Sequence, residues 1–405
     1  MIAVIADDLS GAAELAGVAR ACGLSAEVQI HFTADTDADV VCLDTDTRSR
    51  TEADSAHIVA EVARQIAAAR PDWIYKKCDS VLRGHVRVEL RALMAVFGLP
   101  RTLFIPANPS RGRIIRGGEY FVNGQLLHET EFARDPDHPR TTARIAELLG
   151  GDLFGISTPD AESAGDVARQ AANVDAETLG AGGADFFTAL LKDRALCRST
   201  SYCSDSSTLQ APSTMLLVCG SAASWPRRIA RVSALEFPVF ALPHEPQHIA
   251  DVLRMKRFAA LGIGDGPATH GLAPAALVQM LARTVTAVLD QAKVTHLLLE
   301  GGATAIAVVR ALGFTRLRAD PCSAPGVGAL RPIPSANPML WIKPGSYDWP
   351  DAIWPTSNRF DPGDVSRDNE TTGAAGAVDS NSSRKPTAKS LGKSSHENAC
   401  PYFNP

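Results

Sequence analysis

The sequence predicts an α/β protein of two domains, each a largely parallel sheet flanked by helices, with an active-site cleft between them. Three observations predict this. Short β-branched runs alternate with longer helical stretches, a second alternating series begins near Ser213, and 405 residues fit two domains better than one.

The first series opens with "IAVIA" (2–6), a strand, followed by "SGAAELAGVARACG", in which Ala12, Leu15, Ala16 and Ala19 share one helical face. "ADVVCLD" precedes "TEADSAHIVAEVARQIAAA", where Ile58, Val62 and Ile66 recur at helical spacing. "DWIYKK", "HVRVELRALMAVFG" and "RTLFIPA" continue as strand, helix and strand. "RGGEYFVNGQLL" differs: Asn123-Gly124 between alternating residues is a hairpin signal and predicts an antiparallel excursion.

The stretch "LCRSTSYCSDSSTLQAPS" is rich in Ser and Thr, lacks apolar periodicity and reads as an interdomain linker. Beyond it, "TMLLVCG" and "THLLLE" are strands, each followed by a helix, "SWPRRIARVSA" and "ATAIAVVRALG". After about Asp361 the apolar content disappears, as in a disordered tail. The tail contains "GKSS" (Gly392 to Ser395), but neither strand nor packed helix surrounds it, so it is no P-loop. The expected units are 1–205, 213–355 and a tail at 361–405.

Composition narrows the partners. A formal net charge of -5 offers no basic surplus for nucleic acid. No apolar run approaches the roughly 18 residues of a membrane span, and the acid-bearing start does not resemble a signal peptide. The eight cysteines include no CxxC pair; Cys42, Cys78 and Cys219 sit in or beside apolar runs as reduced thiols. A cytoplasmic protein binding a cofactor is the default reading, with a homo-oligomer left open.

The polar residues gather where strands end. In parallel α/β sheets ligands collect outside the carboxyl ends of strands, near helix N-termini. Asp7 and Asp8 close the first strand. One acid suffices to cap a helix, at about 1 kcal/mol; a second costs repulsion unless cations or hydroxyl donors share the load. "IYKKCDSVLRGH" crowds Lys76, Lys77, Asp79, Ser80 and Arg83 at another strand end. Arg83 is expected to clamp a carboxylate and Asp79 to accept from hydroxyls, against the plainer reading of a solvated loop with Asp79 as a cap. "DTDTRSR", with Arg48, repeats the chemistry, and "PANPSRGRIIRGG" adds Arg111, Arg113 and Arg116. In the second half "CGSAAS" and "EGGATA" place bare glycines between strand and helix, where backbone N–H groups can approach phosphates. Ser221 and Thr304 would add hydroxyls, and "WIKPGSYDWP" supplies Lys343 and a third turn at Gly345.

These residues, in this order, resemble the four-carbon acid sugar kinase family, which phosphorylates tetronate-type sugar acids with ATP. "ADDLSGA" resembles its "DDLTGA" signature, "KKCDSVLRGHVRVEL" its "KK-x-DSTLRGN…E" segment and "PANPSRGR…G…VNG" its following loop. "GGATA" and "KPGSY" resemble diverged forms of its "GG-(D/E)-T-(A/S)" and "KSG-x-FG" elements. The resemblance spans about residues 1–346. It implies an N-terminal domain for the sugar acid and a C-terminal domain for ATP with Mg²⁺. On that reading Asp7, Asp8, Arg48, Lys76, Asp79, Ser80 and Arg83 hold the substrate, with Asp8 catalytic. Ser221, Gly301, Gly302, Ala303, Thr304 and Gly345 line the nucleotide site, and no protein residue is assigned to a metal. Two departures stand out: Ala303 replaces an acid, and Pro344 removes an N–H donor. They favour the alternative of a catalytically impaired sugar-acid binder or regulator. A nicotinamide dehydrogenase is the third reading. No GxGxxG follows the first strand, and "GIGDG" (Gly262 to Gly266) lacks the required spacing.

Overall fold

The computed structural model describes residues 1–354 apart from 136–137, 198–212, 222–223, 265–268, 322–325, 336 and 346. The tail expected at 361–405, its "GKSS", and most of the expected linker therefore lie outside the described residues.

In the front half, strands β1 (Ile2–Ala6), β2 (Ala26–Gln29), β3 (Val40–Asp44), β4 (Trp73–Lys77) and β5 (Arg101–Ile105) alternate with helices α1 (Leu9–Ala21), α2 (Glu52–Ala68) and α3 (Val86–Phe97). The antiparallel excursion follows as β6 (Arg113–Arg116), β7 (Glu119–Val122) and β8 (Gln125–Leu126). Asn123 and Gly124 turn with φ of 50° and 82°, the left-handed pair that a two-residue hairpin requires. A short helix α4 (Ile145–Leu148), β9 (Ile156–Ser157), α5 (Ala164–Ala171), β10 (Thr178–Gly182) and α6 (Ala184–Asp193) complete this half.

The back half begins with β11 (Met215–Cys219), α7 (Trp225–Ser233), β12 (Val239–Ala241), α8 (Pro246–Lys256), β13 (Phe258–Gly262), α9 (Pro274–Leu289), β14 (His296–Glu300) and α10 (Gly302–Ala311). It closes with β15 (Arg316–Asp320), β16 (Gly328–Pro332) and β17 (Met339–Lys343).

The two expected parallel sheets are present as blocks, β2-β3-β1-β4-β10-β5-β9 and β12-β13-β11-β14-β17. They are joined edge to edge into one 14-stranded sheet. The joint is antiparallel: β16 pairs with β17 and β15, and β15 pairs with β2, Leu317 standing opposite Val28. The blocks consequently run in opposite directions. Six strand steps separate β14 from β1, and at about 20–25° each the twist accumulates to roughly 120–150°. That rotation turns the carboxyl ends of the two blocks toward each other.

Helix α1 shows how tightly the halves interlock. Every residue but Arg20 is buried, because the helix lies against its own strands and also against β15–β17 and α10. Its small residues permit this: a Cβ on Gly328 would press on the backbone of Ala13. At its far end Cys22 forms a disulfide with Cys197, just beyond α6, while Cys42, Cys78 and Cys219 are free and buried, as their apolar runs indicated.

In the back block alternate residues face two separate cores. Leu216 and Val218 face α8, α9 and α10, whereas Met215, Leu217 and Cys219 pack with Trp225 of α7 and with Trp349 and Trp354. The connection after β11 thus leaves to one face and the connection after β14 to the other. Between such neighbours an open α/β sheet leaves a crevice at its carboxyl edge.

Candidate active site

Asp7 and Asp8 sit where β1 ends and α1 begins. Asp8 caps the helix: its Oδ1 accepts from the Gly11 N–H at 2.8 Å and its Oδ2 from the Ser10 hydroxyl at 2.6 Å. Capping leaves Asp7 unexplained, and Arg48 explains it. The Arg48 guanidinium donates to Asp7 Oδ2 at 2.8 Å and to Asp8 Oδ2 at 2.7 Å, and lies 3.5 Å from Asp79 Oδ1. One cation therefore gathers three acids from two strand ends, Asp7 and Asp8 after β1 and Asp79 after β4. Burial pushes the Asp7 carboxyl up, but the charges of Arg48 and Lys76 outweigh it and hold Asp7 below its ordinary value. Asp7 Oδ1 is buried with no hydrogen-bond partner.

The second cluster is organised otherwise than the sequence suggests. Arg83 is not an open clamp: its Nε and Nη2 donate to the two oxygens of Asp79 at 2.8 and 2.9 Å, and its Nη1 reaches Asp135 at 3.2 Å. Asp79 is likewise no helix cap, since α3 starts at Val86 with His85 in the cap position. Burial opposes ionisation of Asp79, yet Arg83 and Arg48 hold it well below the usual carboxylate range. Lys76 is fully buried on Glu89 at 2.6 Å, and Lys77 lies 3.3 Å from Glu14. Burial lowers each ammonium and the paired acid raises it further, so both remain charged. Ser80 is buried, and its carbonyl accepts from the Tyr120 hydroxyl at 2.7 Å.

The glycine turns of the back half converge on the crevice between β11 and β14. A Cβ on Gly220 would collide with Thr304 Oγ1, so only glycine lets these elements meet. Gly345 stands against Ser221, its carbonyl accepting from Ser224 Oγ at 2.9 Å. Gly301, at φ 96°, donates to the Lys343 carbonyl and precedes α10. No side chain caps α10, and the first N–H groups of a helix have no partner within it. Gly302, Ala303 and Thr304 thus form a donor-rich positive helix end. Ala303 is exposed there and Thr304 buried.

Under this cradle lies a buried network that sequence reasoning missed. Glu300 accepts from Arg228 Nε at 2.8 Å and Trp349 Nε1 at 2.9 Å, with Lys343 Nζ 3.1 Å away. Burial lowers the Lys343 ammonium to about 8 despite Glu300. The available signal was the one at Asp7, an acid closing an apolar strand in "THLLLE". Asp44, the acid that opens "DTDTRSR", closes β3 in the same way. Burial first, then the fields of Asp46 and Asp8, raise it well above the ordinary range, and its Oδ2 lacks a partner.

The two halves of the site touch. A Cβ on Gly302 would overlap Asp8 Oδ2, so the bare head of α10 rests on the acid pair. Tyr347, two residues beyond Gly345, reaches across to Arg113, whose Nη1 donates to the phenol oxygen at 2.8 Å.

Residues 2–195 match the family model described as the sugar-binding N-terminal domain. That likeness covers the front half of the chain. The chain is also similar, over part of its length, to curated relatives. A D-threonate kinase of Bordetella bronchiseptica is 33% identical over 157 residues, 37% of this chain and 39% of the relative. A D-erythronate kinase of Heliobacterium modesticaldum is 31% identical over 36% of this chain and 35% of its own. A 3-oxo-tetronate kinase of Brucella melitensis is 30% identical over 42% of each. These names support the four-carbon acid sugar kinase resemblance; the matches span about two-fifths or less of the relatives' length. With solved structures the likeness is one of fold. A putative tRNA synthase of Salmonella typhimurium superposes with a TM-score of 0.66 at 18% identity, covering 86% of this chain and 96% of that one. A Haemophilus influenzae protein of family DUF1537 gives 0.63 at 19%, covering 86% and 98%.

Proposed function

We propose that this chain is an ATP-dependent kinase that phosphorylates the terminal hydroxyl of a four-carbon sugar acid of the threonate, erythronate or 3-oxo-tetronate type. The observation that carries the reading is the contact of Asp8 with Gly302. It sets an acid pair able to orient a hydroxyl against an uncapped helix end able to hold a phosphate. The names of the relatives supply the substrate class.

In the proposed reaction the orphaned Asp7 Oδ1 accepts a substrate hydroxyl, and Arg48 fixes both acids so that their geometry does not relax. Asp8 orients the terminal hydroxyl and takes its proton as the new O–P bond forms and the bond to ADP breaks. Asp79, Ser80, Arg83 and Lys76 shape and charge the same wall. Ser221, Thr304, Gly345, the turn at Gly301 and the N–H groups of Gly302 and Ala303 are assigned to the phosphates, the uncapped head of α10 offering donors that suit an anion. ATP supplies the phosphoryl group. Among the described residues no group of three or more His, Cys, Asp or Glu could hold a metal ion. Mg²⁺ usually binds through substrate phosphates with only one or two carboxylates, and no step here is routed through it. Closed as it is, the contact leaves no space for a phosphoryl group, so the lobes must part to admit substrate.

The units 1–205 and 213–355 are proposed as its sugar-acid and nucleotide lobes, acting in the cytoplasm without nucleic-acid or membrane partners; no described helix is long and apolar enough to cross a membrane. The second reading, an impaired binder, is favoured by Ala303, which leaves the head of α10 without an acid, and by Pro344, whose carbonyl accepts from Lys343. Thermal unfolding with separate ligands separates the readings. A kinase is stabilised by Mg-ATP and by a tetronate; a binder is stabilised by the tetronate alone. Stabilisation by neither contradicts both.

A further inference from the structure

Every cation assigned to the sugar acid already has a carboxylate: Arg48 has Asp7 and Asp8, Arg83 has Asp79 and Asp135, and Lys76 has Glu89, while the neighbouring Lys77 has Glu14. Such pairs cannot also neutralise a substrate carboxylate without giving up a buried partner. Two neighbouring arginines are different. Arg113 is only 5% exposed and Arg111 is half-buried, and among the described residues neither has a carboxylate within 4 Å. What they share is Tyr347. The two guanidiniums lie 4.5 and 5.1 Å from its ring centroid, and Arg113 Nη1 donates to its hydroxyl. Arg111 Nη2 is buried with no hydrogen-bond partner.

Buried charges are ordinarily paired, because desolvation without a counter-charge is costly. Two guanidiniums stacked on one phenol leave that pairing incomplete. The backbone is built around the arrangement: at Gly326, φ 73°, a Cβ would stand 2.6 Å from the Tyr347 ring and 2.7 Å from Arg111 Nη2. The place adjoins the acid pair through Lys77. A Cβ on Gly11 would lie 3.0 Å from Asp8 Oδ1 and 3.7 Å from Lys77 Nζ, and the Lys77 charge also acts on Tyr347.

We propose that Arg111 and Arg113 form the carboxylate subsite of the cleft, with the Tyr347 hydroxyl holding the place of one carboxylate oxygen. The substrate's acid end would take the free Nη2 of Arg111 and the fork of Arg113, and its hydroxyl end the acids around Arg48. This rests on the sugar-acid reading above and adds to it which residues recognise the acid.

Calorimetric titration with D-threonate and with threitol, the polyol without the carboxylate, tests it on the full chain. The unmodified protein should bind threonate at least tenfold more tightly than threitol. R111Q should cut threonate affinity tenfold or more while leaving threitol and Mg-ATP affinity unchanged. R113K, which keeps the charge and loses the fork, should fall between; if buried Arg113 tolerates no change, R111Q at a half-buried position still decides. Equal threonate affinity in R111Q and the parent overturns the subsite and leaves the sugar-acid reading standing. Parallel losses of threonate and threitol also overturn it, since they mark a packing role. Binding of Mg-ATP but of neither threonate nor threitol by the parent overturns the sugar-acid reading, and the subsite with it.

Discussion

Asp8 and Gly302, far apart in sequence and on opposite halves of the chain, are in contact: the carboxylate that caps α1 occupies the space a side chain on Gly302 would need. On the proposed reading, a helix end assigned to phosphate thereby meets an acid assigned to a hydroxyl.

Gly302→Ala should therefore damage transfer more than folding. The added methyl overlaps Asp8 Oδ2 and forces the lobes apart or the acid aside. Where this overpacking strain of about 1–3 kcal/mol is taken up by displacing Asp8 rather than by unfolding, kcat/KM falls by about 5- to 150-fold. Gly17→Ala is the control, because its Cβ would meet only ordinary van der Waals contact at 3.7 Å. Steady-state kinetics of the pair checks this; equal activity in both contradicts the contact.

Asp8→Asn separates the cap from the chemistry. Asparagine caps helices about as well as aspartate, so the melting temperature should change little. Turnover should fall by about 10²–10⁴-fold, the usual range for loss of a general base, with ATP affinity retained. Near-normal turnover would remove Asp8 from the mechanism.

Glu300→Ala should destabilise the back lobe strongly. It leaves Lys343 buried without its counter-charge and Arg228 with only the exposed Asp348, a change of about 3–5 kcal/mol. Urea denaturation measures it; a loss under 1 kcal/mol would mean that the network is not a structural unit.

A pH dependence follows from His296. Burial lowers its imidazole from 6.5 to about 4, and its Nδ1 accepts from Trp341 Nε1 at 3.1 Å, which requires the neutral ring. The unfolded chain binds a proton between pH 6.5 and 4 that the folded chain refuses. The contribution is present above pH 6.5 and is lost as the pH falls toward 4. The difference in urea midpoint between the parent and His296→Gln should shrink over that window, and a pH-independent difference would refute the assignment.

The sequence made the parallel blocks legible because buried parallel strands are written as continuous apolar runs, as in "IAVIA" and "TMLLVCG". It made the Asn123-Gly124 hairpin legible because only a few residue pairs adopt that turn. The joint between the blocks was not legible. "RLRAD" and "GALRP" pair with each other locally, but "RLRAD" pairs with β2 across a long sequence interval, and nothing local names that partner. The strand-end acids were visible individually, whereas the convergence of Asp7, Asp8 and Asp79 on Arg48 is a tertiary fact. Arg83 was misjudged in detail for the same reason: the residue able to clamp a carboxylate lies four positions from Asp79, which takes its fork. Tyr347, reaching over to Arg113, left no sequence signal at all.

The account is tested most directly by ADP release from the purified full chain, coupled to NADH oxidation, with Mg-ATP and each of D-threonate, D-erythronate and 3-oxo-tetronate. At least one acid should drive ADP release well above the rate without acid, and Asp8→Asn should abolish the increment. No acid-dependent ADP release from a folded protein that binds both Mg-ATP and the acid would contradict the claim that Asp8 and the head of α10 perform phosphoryl transfer.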